Sequence, residues 1–303
     1  MKNLSQILKN SNVIILDSAM GTELQSRDID ISLPLWSARA LIVKPDTVRQ
    51  IHIDNIDAGA DIITTNTFRT QRRTFEKAGY KHEGLNFDGT ARELTKIAVD
   101  LAKEAVLITN DNVLIAGSVA PLEDCYRPDL VPDTDTLCTE HNEHILNLLD
   151  AGVDFILAET MNSIREISAV VNQIHQTGRE YCISLLCKND KELLSGELIS
   201  DAVKIIEKFT PIAVMINCIH PVRIEPVIKM LKSLTNITLG VYANIGEIDQ
   251  SGGSTFRKSV TPDKYYEFAL LWKDLGVKII GGCCGTGPDY IKKISHLKKK
   301  NNY

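Results

Sequence analysis

Eight short runs of β-branched and other apolar residues punctuate the chain, at 13–17, 61–66, 113–118, 155–159, 181–187, 213–218, 238–244 and 278–283. Most are almost continuously apolar, the pattern of parallel strands covered on both faces, and each gives way to polar or glycine-rich residues. Longer stretches with helical apolar spacing lie between them. Pro45-Asp46-Thr47 opens one such helix, Val48, Ile51 and Ile56 are among its apolar positions, and Ala58-Gly59-Ala60 closes it. A second, about 135–150, stops at Ala151-Gly152, and Leu275-Gly276 ends another just before the last strand. Eight βα units in 303 residues predict an α/β fold, a single (β/α)8 TIM barrel, rather than a doubly wound sheet. A doubly wound sheet would have fewer strands and a nucleotide fingerprint in its first turn, and no GxGxxG or P-loop sequence occurs here. No Ser/Gly/Pro-rich linker divides the chain, so one domain covering 1–303 is expected. Three connections are long, 18–44, 121–133 and 245–261, and all follow strand C-termini, the face on which barrel enzymes build their sites.

Composition agrees with a large buried core: 44% of residues are hydrophobic and 24% charged, outside the range of disordered chains. Lysine and arginine number 34 against 39 acidic residues, a net charge of −5, which lacks the electrostatic footprint of a nucleic-acid binder. The basic end Lys298-Lys299-Lys300 is expected to be a solvated helix terminus. No apolar run approaches the ~20 residues that span a bilayer, and the N-terminus lacks the features of a signal peptide, so a cytoplasmic location is expected. Seven cysteines, an odd number, then argue against a disulfide framework and for thiols that are buried or metal-bound.

Their positions single out three. Asn217-Cys218 ends the sixth predicted strand, and Gly281-Gly282-Cys283-Cys284-Gly285-Thr286 ends the eighth, so three thiols converge on one rim. Adjacent residues of a regular strand point to opposite faces; Cys283 and Cys284 can share a ligand only if the strand bends, which the flanking glycines permit. Sulfur ligands favour Zn2+, and three protein ligands with one open position describe a catalytic site. Cys125, Cys138, Cys182 and Cys187 have no such setting and read as ordinary thiols.

Taken with Asp17-Ser18-Ala19-Met20-Gly21-Thr22, Thr64-Thr65-Asn66-Thr67-Phe68, Gly117-Ser118 and Glu159-Thr160, these cysteine motifs give the chain a resemblance over nearly its whole length. It resembles the homocysteine S-methyltransferase family, zinc-dependent TIM barrels that methylate the homocysteine thiol to form methionine. Pro34-Leu35-Trp36-Ser37-Ala38-Arg39 is similar to the branch that uses S-methylmethionine or S-adenosylmethionine. Thr160 stands where the betaine-using branch has a tyrosine, and Val241-Tyr242-Ala243-Asn244 departs from the more usual Tyr-Pro-Asn form.

The chemistry fits the residues. A free thiol with a pKa near ~8.5 is mostly protonated at neutral pH, whereas a zinc-bound one ionises without a separate base. An amino-acid substrate also needs partners for its ammonium and carboxylate. Asp17 and Glu159 end strands on the same rim and suit the ammonium, a role matching the family's acidic positions. Backbone N–H groups of Ala19, Met20 and Gly21 suit the carboxylate, the glycine allowing close approach. Thr65 and Asn217 are candidates for shaping the site, and His220 reads as a supporting loop residue. Trp36 is the candidate for the methyl donor, because an indole face attracts a cation within about 6 Å.

Three other readings compete: a zinc-independent aldolase or decarboxylase with core cysteines, a non-catalytic zinc-binding barrel, and a homocysteine-binding component that takes methyl from a separate corrinoid protein or from betaine. The expected partners are small molecules, homocysteine and a methyl donor, with a homo-oligomer possible.

Overall fold

The computed structural model describes residues 3–246 and 259–298. Its eight parallel strands are β1 (Ile14–Ile15), β2 (Ile62–Thr64), β3 (Leu114–Val119), β4 (Phe155–Met161), β5 (Tyr181–Leu185), β6 (Ala213–Asn217), β7 (Thr238–Ala243) and β8 (Ile279–Gly282). Each pairs with its neighbour in sequence from β2 to β8, and β8 pairs with β1. A parallel bridge between Leu16 and Ile62 joins β1 to β2 and completes the barrel.

The apolar runs divide by the two-residue period of a strand. Ile14, Leu16, Leu114, Ala116, Phe155, Leu157, Ala213 and Met215 point inward and form one cluster. Ile15, Ile63, Ile115, Ile156, Ile183, Val214 and Ile280 point outward into a larger cluster under the helices. Leu4 and Leu8, from the helix Leu4–Asn10, join the inner cluster. The helix Pro45–Asp57 has its proline in the first turn and is followed by Gly59 at φ 101°. The helix Thr134–Ala151 is capped by the Asp133 side chain and stops at Gly152, φ 87°.

The ends of several elements differ from the sequence reading. β1 is shorter than 13–17: Leu16 makes a single bridge to Ile62, and beyond it the Thr64 N–H donates to the Asp17 carboxylate at 2.7 Å while the Asp17 main chain keeps its bonds to Ile62 and Gly282. β8 ends at Gly282, so Cys283 and Cys284 lie in the turn after the strand and no bend within it is needed. Lys298 ends a short helix, exposed as expected, and also donates to Gly59 O and Asp61 Oδ1, each at 2.9 Å; Lys299 and Lys300 lie outside the described residues.

The connection 18–44 builds its own small core. The helices Met20–Ser26 and Arg39–Val43 bury Leu24, Ala40 and Leu41 in one cluster with Val48, Ile51 and Leu94. That packing seats Trp36 at the barrel mouth. In the 121–133 connection, Leu122 N–H donates to the buried Glu166 carboxylate at 2.8 Å, and His141 Nε2 lies 3.1 Å from the same oxygen. Most of 245–261 lies outside the described residues.

Candidate metal centre and active site

The C-terminal ends of the strands surround a cavity of about 340 Å³. Among its lining residues the ligand atoms of Cys218, Cys283 and Cys284 all lie within 4.8 Å of one another, and Cys218 Sγ is 2.8 Å from Cys283 Sγ. Cys218 reaches this position by adopting φ 57°, a left-handed conformation that costs a non-glycine residue about 1–2 kcal/mol. The Asn217 side chain holds it there. Its Nδ2 donates to Thr160 Oγ1 at 2.8 Å and to Cys218 Sγ at 3.3 Å, while Oδ1 accepts from Ser184 Oγ at 2.7 Å and Thr160 N at 3.2 Å. Thr160 sits where the β4 register shifts and is itself left-handed, φ 62°.

Thiols this close hold their protons unequally. Hydrogen bonds to Cys283 and Cys284 push the Cys218 thiol up, whereas hydrogen bonds from Cys218 and Cys283 hold Cys284 well below the usual thiol range. Ionising all three together requires a cation among them. The donor set therefore suits a soft divalent metal. Two sulfurs sharing one ion at ~2.3 Å each would stand roughly 3.8 Å apart, so the 2.8 Å Cys218–Cys283 pair would have to spread.

Two carboxyls stand above the thiols. Asp17 accepts from Thr64 N at 2.7 Å and Thr64 Oγ1 at 3.0 Å, and burial pushes it up to about 8. Glu159 accepts from Ser118 Oγ and, at 3.4 Å, from Tyr242 OH; burial pushes it up to about 7. Neither has a cationic partner among the described residues. A substrate ammonium would supply one.

The other sequence candidates divide. Ala19, Met20, Gly21, Thr65 and Trp36 line the cavity, whereas Asn217 is fully buried behind Cys218. Thr65 Oγ1 is used within the fold, 2.8 Å from Thr67 Oγ1 and accepting from Ser118 N at 3.2 Å. Gly21 makes room for a side chain of the protein itself: a Cβ there would lie 2.5 Å from Trp36 Cζ2. His220 Nε2 lies 3.3 Å from Ser259 Oγ, a loop contact. Cys138, Cys182 and Cys187 do not line the cavity; Cys125 does, but stands outside the three-thiol cluster. Ser118, Phe68, Arg69 and Tyr242 also line it and had drawn no role. Ser118 and Phe68 stood inside motifs already noticed, so proximity to those motifs was the available signal.

Fold and site define a class, a (β/α)8 barrel whose mouth carries a thiol cluster able to hold a metal ion. The profile of "Homocysteine S-methyltransferase" matches residues 14–297. The homocysteine S-methyltransferase YbgG of Bacillus subtilis is 30% identical, over 97% of this chain and 97% of that protein. The Escherichia coli homocysteine S-methyltransferase is 29% identical, over 94% and 95%. The metallated form of the E. coli homocysteine methyltransferase MmuM superimposes with a TM-score of 0.83 at 26% identity, covering 96% of this chain and 98% of that one. The chain belongs to the homocysteine S-methyltransferase family and is an enzyme of that class.

Proposed function

We propose that this protein transfers a methyl group from a sulfonium donor, S-methylmethionine or S-adenosylmethionine, to the thiol of homocysteine, forming methionine. The reading rests on one observation: three thiols in a cavity whose walls carry two uncompensated carboxyls and a half-buried aromatic pair. Cys218, Cys283 and Cys284 are the ligands of a zinc ion, which when bound lowers the pKa of a coordinated thiol and so supplies thiolate at neutral pH. Asn217 orients Cys218 through the 3.3 Å contact to its sulfur. Asp17 and Glu159 receive the homocysteine ammonium, and the main chain at Ala19, Met20 and Gly21 receives its carboxylate. Thr65 acts at one remove, by holding Ser118, whose hydroxyl donates to Glu159.

Trp36 faces the donor. Its ring centroid lies 5.0 Å from that of Phe68, and the two rings form an aromatic wall on which a sulfonium can rest. In the transfer, the new S–CH3 bond forms as the donor C–S bond breaks, and the donor leaves as a neutral thioether. Charge disappears along this path, so a cavity that excludes water favours it, provided the reactants are held in line. The whole chain, 1–303, acts as one homocysteine-binding barrel. Its seven free cysteines suit a cytoplasmic location.

The test is methionine formation by zinc-supplied protein with homocysteine against S-methylmethionine, S-adenosylmethionine, betaine and a methylated corrinoid. Turnover with a sulfonium is expected; turnover with betaine or the corrinoid alone would replace the donor assignment.

A further inference from the structure

Arg69 follows β2 directly after Phe68, is 6% exposed and lines the cavity. Its guanidinium makes one hydrogen bond, from Nη1 to Pro121 O at 3.1 Å, and no ion pair with any described residue. The remaining N–H groups are not sealed inside the protein. A guanidinium is always charged, and withdrawing it from water without an anion is costly. Holding one loop carbonyl requires no such charge.

The neighbours offer no hidden counter-ion. Asp124, on the same cavity wall, accepts from Tyr126 N at 2.9 Å and does not pair with Arg69. Cys125 is kept neutral, its thiol pushed up to about 12 by burial even with Arg69 near it. Arg69 Cζ lies 5.2 Å from the Phe68 centroid, which lies 5.0 Å from that of Trp36. Guanidinium and indole are thus within reach of the two ends of one small zwitterion. The thiols and the two carboxyls, which serve homocysteine, come from β1, β4, β6 and β8 instead.

We propose that Arg69 is the binding residue for the carboxylate of the methyl donor, which selects a carboxylate-bearing sulfonium of amino-acid type. This rests on the proposed methyl transfer from a sulfonium. The planar fork of arginine matches a carboxylate with two parallel N–H donors, and the stretch 68–69 then sets the distance between the donor's anionic end and its sulfur.

The experiment compares S-methylmethionine with its decarboxylated counterpart, (3-aminopropyl)dimethylsulfonium, as donors to homocysteine, in wild type, Arg69→Met and Arg69→Lys. Wild type is expected to favour S-methylmethionine in kcat/KM by about tenfold or more, the scale of a hydrogen bond between charged groups. Arg69→Met should reduce that preference to about twofold or less by raising the S-methylmethionine KM, with the homocysteine KM little changed. Arg69→Lys keeps the charge without the fork, should keep part of the preference, and carries the comparison if circular dichroism shows Arg69→Met unfolded. A preference that survives substitution makes Arg69 structural and overturns the inference. A loss confined to the homocysteine KM overturns it too, by assigning Arg69 to the acceptor. If wild type uses neither sulfonium, the donor class fails and the Arg69 assignment falls with it; a failure of the variants alone leaves the methyl-transfer reading standing.

Discussion

Asp17 and Glu159 show what burial does to an acidic residue that lacks its partner. Both keep their protons to higher pH than an exposed carboxyl, Glu159 to about 7 and Asp17 to about 8, chiefly because the charged form is poorly solvated. The folded values lie above the ordinary values of 4.5 and 3.8. Their contribution to stability is therefore complete below pH ~4 and is lost as pH rises through about 7 and about 8. Urea unfolding of the substrate-free protein between pH 5 and 8.5 should show this decline, and Asp17→Asn with Glu159→Gln should flatten it; an unchanged slope would mean that neither carboxyl titrates there. Homocysteine affinity should rise over the same interval, because the ammonium binds the ionised forms. Above pH ~8, where Glu159 is ionised, Glu159→Gln should weaken homocysteine by ~2–5 kcal/mol, the cost of removing one partner of a desolvated charge pair, and the loss should shrink as pH falls through about 7. The control is 4-mercaptobutanoate, which has no ammonium: equal impairment of both thiols would remove Glu159 from the ammonium site.

At the scale of elements, the connection after β1 shapes the cavity wall that we propose faces the donor. Its packing in one cluster with Val48, Ile51 and Leu94 delivers the Trp36 indole to the spot left open by Gly21. Gly21→Ala would drive a methyl group to 2.5 Å from Cζ2, so the ring must move. We expect a stability loss of ~1–3 kcal/mol, the usual cost of overpacking, and a raised donor KM with homocysteine KM nearly constant. Trp36→Leu should raise the donor KM more than Trp36→Phe, which keeps an aromatic face. Steady-state kinetics with thermal melts would separate these outcomes. If both Trp36 variants lose stability while the donor KM stays put, the indole serves the loop alone.

For the molecule as a whole, the metal site is placed apart from most of what keeps the barrel folded. The larger core cluster lies between sheet and helices, and the inner cluster runs from Leu4 and Leu8 to the strand ends, where Cys283 joins it last and Cys218 and Cys284 pack against it. Chelation, or Cys218→Ala, Cys283→Ala or Cys284→Ala singly, should therefore abolish bound zinc and cut methyl transfer by at least ~10²-fold while circular dichroism stays native-like. Losses of 10–100-fold already follow from altering residues behind metal ligands. Stoichiometric zinc and full activity in any one variant would exclude that cysteine from the ligand set.

The eight strand runs of a barrel, the helix stops at Gly59 and Gly152, and the convergence of Cys218 with Cys283 and Cys284 were legible in the chain. The apolar runs of buried strands, the left-handed preference of glycine and the rule that barrel sites lie at strand C-termini act on short stretches of sequence. Other features depended on distant neighbours. The Asp17 carboxylate is held at the barrel mouth by Thr64, 47 positions later, whose N–H donates to it. Asn217 turned from the cavity to hold Cys218 and Thr160, and Gly21 served an indole 15 positions away. Arg69 looks like any basic residue in a loop until every group around it has been placed. Local pattern decides which element forms and which face is buried, but the balance of charge and hydrogen bonds in a cavity depends on what the fold brings next to it, and only the tertiary structure decides that.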